Sequence, residues 1–165
     1  MKSEYEEYVD KTICESKGFV RTPKGIYKLT ALERVYSKGR LRYGDKRFSE
    51  DDRLRAGNRL NHEYEAAHFN VVGISWKNSK IDSRGGADTS SNLTDLRSRY
   101  LTAIRHIPRE FWPAVRRICI ENLLPDFDNI DSARRRYENM YLWYCDLCRG
   151  LDRLIEYYTQ SKIQP

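Results

Sequence analysis

The sequence predicts an all-α fold, a compact helical bundle with a helix-turn-helix-like carboxy-terminal part. Two observations predict it. Apolar residues recur every three or four positions through long stretches of residues 30–158, the repeat of a helix that buries one face. Cap residues and prolines stand where such helices would begin and end. A chain of 165 residues buries roughly 70 % of its unfolded surface on folding, so the core needs no disulfide staples.

Residues 1–29 read as a lead-in segment, with room for one short helix. Charges alternate there with Tyr5, Tyr8, Val9 and Ile13, and Pro23 and Gly25 then punctuate an extended or turn-rich stretch. The helical domain spans 30–158. From Thr30, ALERVYSKG sets Leu32, Val35 and Tyr36 at helical spacing and Gly39 at the stop, a two-turn helix. Ser49 then precedes a long helix whose first turn is acidic, with Asp52 placed as reciprocal cap partner. Leu54, Leu60, Tyr64 and Ala67 share one face, Gly57 permits close approach of a neighbour, and Arg55, Arg59 and His62 line the other side.

Beyond Phe69 the stretch VVGISW is β-like, and residues 77–92 offer little to a core and read as a flexible loop. Ser91 or Asn92 caps the next helix, with a stripe of Leu93, Leu96, Tyr100, Leu101 and Ile104. Pro108 ends it and opens another helix that buries Phe111, Trp112, Val115, Ile118, Cys119 and Leu123 before Pro125. Asn129 or Asp131 then caps residues 131–158, where Tyr137, Tyr141, Tyr144, Cys148, Leu151, Ile155 and Tyr158 recur at three or four; this is one helix, or two broken near Glu138-Asn139. Residues 159–165 are a tail.

The charge is +6, spread as +1 over 1–30, +2 over 31–70, +1 over 71–92 and +2 over 93–165, so no segment is a polycationic arm. No apolar run approaches the roughly 20 residues that cross a bilayer, so no transmembrane helix is expected, and no membrane partner. The acidic, aromatic amino terminus is unlike a signal peptide, and the expected compartment is the cytoplasm, with the four cysteines reduced. Cys145 and Cys148 form one isolated C-x-x-C, with no second Cys or His pair to complete a zinc site and placed inside a helical stretch instead of at the helix amino terminus a redox pair uses. His62, His68 and His106 fall in no ligand grouping, and Gly85-Gly86 lacks a phosphate-loop context. The expectation is no enzyme, no metal and no cofactor.

What remains is arginine. Arg116 and Arg117 on one helix, then Arg134, Arg135 and Arg136 at the start of the next, have the layout in which arginines and helix amino termini meet phosphates. Arg55 and Arg59 are secondary candidates. The reading is a protein that grips duplex DNA by helix-borne arginines. The alternative is a protein-binding module without direct DNA contact, a factor touching RNA polymerase or a homo-oligomeric adaptor, which the aromatic carboxy-terminal helix favours if its rings are exposed.

Three short motifs carry a resemblance. Leu32-Glu33-Arg34, then Ala56, Gly57 and Arg59, then Leu151, Asp152, Leu154 and Tyr158 make residues 30–158 resemble an uncharacterised helical domain of alphaproteobacterial and prophage transcription regulators, similar to gene-transfer-agent activators. The resemblance implies transcription control through DNA binding by the last helices. The chain departs from that pattern at Met140, Tyr141, Leu142, Trp143 and Tyr144, whose bulk suits a protein contact or a core better than a major groove.

Overall fold

The computed structural model describes residues 19–22, 25–77 and 88–161. Five α-helices are found among them: α1 (Ala31–Ser37), α2 (Glu50–Lys77), α3 (Asp88–Arg105), α4 (Trp112–Val115) and α5 (Ala133–Gln160). The bundle is all-α. Its one β feature among the described residues is a hairpin before α1, β1 (Phe19–Thr22) against antiparallel β2 (Gly25–Lys28), with Phe19 opposite Lys28 and Thr22 opposite Gly25. The expected extended stretch thus holds two strands, the second opening at Gly25. The expected helix of the lead-in falls within 1–18, outside the described residues.

Helix α1 begins at a full capping box: Thr30 Oγ1 accepts from the Glu33 N–H, and the Glu33 carboxylate accepts from the Thr30 N–H at 2.8 Å. It ends before Gly39, whose φ of 65° is the left-handed region glycine adopts at little cost. A 3-10 turn, Arg40–Arg42, follows. The expected Ser49–Asp52 cap forms at the start of α2, with Asp52 N–H to Ser49 Oγ at 3.1 Å and Ser49 Oγ–H to Asp52 at 2.7 Å.

The β-like reading of VVGISW is overturned, because α2 continues through it to Lys77. α3 in turn starts at Asp88, before the caps expected at Ser91 or Asn92. Of the flexible loop expected over 77–92, residue 77 and residues 88–92 are helical, and residues 78–87 lie outside the described residues. Helix propagation adds one hydrogen bond per residue fixed, so a long helix already nucleated carries a short β-branched run.

Past α4 the chain makes one π-helical turn over Arg116–Ile120, and Asn122 at φ 55° stops it, earlier than Pro125. Asn122 Oδ1 accepts the Ala31 N–H at 2.6 Å and so satisfies a first-turn donor of α1. Leu123, expected in the core, is therefore outside at 51 % exposure. The cap of α5 is Ser132 instead of Asn129 or Asp131, and α5 is a single unbroken helix.

The core gathers Leu32, Val35, Leu41, Leu60, Ile118, Leu147, Leu151 and Leu154, all at most 2 % exposed. α2 packs on α3, on α5 and on the π turn, while α4 packs on α5. No helix of the described residues is long and apolar enough to cross a membrane.

Candidate interaction surface

The candidate arginines fold into separate local arrangements. Arg116 pairs with Glu121 at 2.9 Å, and Arg134 with Glu138 at 3.0 Å. Arg117 donates from Nε and Nη2 to the Leu124 carbonyl at 3.2 Å, and Arg136 from Nη2 to the Ile130 carbonyl at 2.9 Å, so both brace the linker between the π turn and α5. Arg59 pairs with Glu63 at 3.0 Å and lies over the Tyr158 ring, 3.9 Å from its centroid. With Arg55 and Asp52 it lines a shallow groove of about 200 Å³ between α2 and α5. Arg135 alone of the α5 triplet makes no ion pair or side-chain hydrogen bond among the described residues.

The helix-turn-helix is not confirmed. That motif joins its helices by a three- or four-residue turn, whereas here residues 121–132 lie between the π turn and α5 and carry Glu121, Asp126, Asp128 and Asp131. Carboxylates in that position repel a phosphate backbone.

The residues behind the family resemblance turn out to build the bundle. A Cβ at Gly57 would stand 2.5 Å from Leu32 Cδ2 and 3.4 Å from Leu151 Cδ2, so each of the three motifs supplies one member of this contact. Tyr158 donates to Glu63 at 2.9 Å beneath Arg59. Asp152 meets Arg53 in a bidentate pair, Nε to Oδ1 at 2.7 Å and Nη2 to Oδ2 at 2.8 Å. Arg53, 1 % exposed, also donates to the carbonyls of Leu41 at 2.7 Å, Tyr43 at 2.9 Å and Asp45 at 2.5 Å. Burial pushes the Asp152 carboxyl up, against the pull of Arg53. The sequence reading passed over Arg53, although its place three before Ala56 and seven before Leu60 puts it on the buried stripe.

The three cysteines among the described residues lie in the same interior. Cys145 and Cys148 are buried on α5, and burial alone pushes the Cys119 thiol to about 12. Cys148 is likewise raised to about 12, burial being the first cause. Among the described residues no group of three or more His, Cys, Asp or Glu side chains is placed to hold a metal ion.

The outward feature of α5 is its first third. The stripe of Tyr144, Cys148, Leu151, Ile155 and Tyr158 that faces the core continues at the same spacing to Tyr141 and Tyr137. Exposure jumps from 1 % at Tyr144 to 42 % at Tyr141 and 61 % at Tyr137, with Leu142 beside them at 59 %. Every residue from Asp131 to Asn139 is exposed. The helix therefore outruns the described bundle by about two turns, and its core-facing stripe continues uncovered. Tyr141 meets Tyr43 edge-on at 5.2 Å, the last ring contact at the bundle's rim. No protein-family model, curated protein or solved structure matches the chain.

Proposed function

We propose that this chain is a protein-binding helical module that presents the overhanging start of α5 to a partner. One observation carries the reading: an apolar stripe at core spacing continues past the body, and Tyr137, Tyr141 and Leu142 are left to solvent. Tyrosines of this kind supply interface anchors at low entropic cost. The interaction is tested with a photo-reactive residue at position 137 in the full chain in cells, against the same probe at exposed Asn58 on α2. A protein adduct specific to 137 and lost with Tyr141→Asp supports the module; equal adducts at both positions, or none, refute it.

Duplex-DNA binding in transcription control is the second reading. It draws support from Arg135 and from Arg97, Arg99, Arg105 and Arg109, none of which forms an ion pair among the described residues. Arg97 and Arg105 line a shallow groove with Thr94, Ser98 and Thr102, and arginine with hydroxyl is the chemistry that positions a phosphate backbone. Engagement of about five phosphates requires log K to fall with log salt at a slope of roughly −4 to −5. Binding to DNA with a flat slope, or no binding, removes this reading.

A further inference from the structure

We infer that the cleft between the loop 43–49, the start of α4 and the body end of α5 is a binding site for a nucleoside monophosphate, its phosphate held by arginines and its nucleoside set against two phenylalanine rings. The site lies on the body of the bundle, beyond the overhang, and is independent of the protein-binding reading.

The cleft holds about 380 Å³, a size at which small-molecule sites occur. Phe48 from the loop and Phe111 before α4 supply its apolar walls, and Arg47, Arg149 and Arg153 bring three guanidiniums to it. Arg149, Asp152, Arg153 and Glu156 recur at helical spacing on α5, so one face of that helix forms a side of the cleft.

The charges are arranged so that donors stay free. Glu156 anchors two guanidiniums at once, Arg47 Nη1 on Oε1 at 2.6 Å and Arg153 Nη1 on Oε2 at 3.0 Å. Among the described residues each of these arginines thereby spends one N–H donor, of the roughly five that a guanidinium carries. Arg149 stands over the Phe111 ring, 6.0 Å from its centroid, and its contact to Asp146 is 3.6 Å, too long for a hydrogen bond. Asp152 is neutralised by its bidentate pair with Arg53. Three guanidiniums then face two carboxylates, Asp45 and Glu156, and the cleft keeps a net positive charge.

A phosphate monoester is the oxyanion that fits, because its terminal oxygens can accept from three separate guanidiniums, where a carboxylate offers a single pair of oxygens. Guanidiniums already fixed by Glu156 lose little further freedom when the ligand arrives. The faces of Phe48 and Phe111 give a base somewhere to lie.

Isothermal titration calorimetry on the full chain with adenosine, guanosine, cytidine and uridine 5′-monophosphates tests this. At least one is expected to bind at a Kd of ~10–500 µM, and its parent nucleoside and inorganic phosphate at least ~10-fold more weakly, since each lacks the contacts of the other. The double variant Arg149→Gln, Arg153→Gln changes two side chains that are more than half exposed. It should keep its helical circular dichroism and raise Kd at least ~10-fold. Arg97→Gln with Arg135→Gln removes the same charge elsewhere and should change Kd by less than ~2-fold. No binding of any of the four below ~5 mM, inorganic phosphate binding as tightly as the nucleotides, or equal losses in the two double variants overturns the site.

Discussion

Removing the Asp152 carboxylate should cost more stability than any other single change on α5. Asp152→Ala strips Arg53 of its one salt-bridge partner among the described residues while its guanidinium stays buried and bonded to three carbonyls. Breaking a buried pair from one side costs about 3–5 kcal/mol, to be set against a total of about 5–15 kcal/mol for a domain of this kind. For a chain near 165 residues that corresponds to a fall in Tm of roughly 6–20 °C. Urea unfolding followed by far-ultraviolet circular dichroism measures it, with the midpoint falling and m unchanged. The double variant Arg53→Met, Asp152→Leu removes both charges but leaves the Leu41, Tyr43 and Asp45 carbonyls without their donor, at about 1–3 kcal/mol for each that stays unsatisfied. It should recover part of the loss and remain below wild type. A loss under about 1 kcal/mol for Asp152→Ala would refute the view that this pair ties the bundle together.

Three further outcomes follow from the packing and the caps. A Cβ at Gly150 collides with Val115 Cγ2 and stands 3.2 Å from Phe111 Cβ, so Gly150→Ala should destabilise by ~1–2 kcal/mol net of alanine's helix preference, read as a lower urea midpoint; a raised midpoint would mean that α4 yields. Hydrogen bonds from the Ser49 hydroxyl and then its backbone N–H hold the Asp52 carboxyl below its ordinary 3.8. A depressed folded pKa gives stability that is present above 3.8 and lost as pH falls through the lower folded value, so Asp52→Asn should flatten that acid limb of a stability–pH curve, and an unchanged limb would count against the cap. Iodoacetamide at pH 8 should leave Cys119 and Cys148 unmodified in the native chain and label both in urea, since burial holds both thiols near 12; rapid native labelling seen by mass spectrometry would show that the interior opens.

The helical class was legible because periodicity and capping are local signals. Ser49 with Asp52, Gly39, and the stripe from Tyr144 to Tyr158 all lie where residue spacing put them. The misplacements have a common physical source, in that a neighbour distant in sequence decided the matter. Leu123 continues the helical repeat, yet Asn122 is drawn out of it to cap α1, 91 residues away in sequence. VVGISW has strand propensity, and the helix already running through Ala67 overrides it. Clustered arginines signal a polyanion site only while they lack acidic neighbours in space, and Glu121 and Glu138 are such neighbours. Tyr137 and Tyr141 carry the same spacing as core tyrosines, so no sequence pattern could tell that the body stops short of them.

The pairing of Arg53 with Asp152 also constrains how the chain matures. These side chains are 99 residues apart, and Arg40 waits similarly for the Tyr144 hydroxyl, 104 residues on. During vectorial synthesis at about 5–20 residues per second, the amino-terminal half emerges with its central cation unneutralised for roughly 5–20 seconds. Folding is thereby deferred to the moment the last helix clears the ribosome, and nascent chains halted before Asp152 should be captured by chaperones and cut by proteases that spare the finished protein.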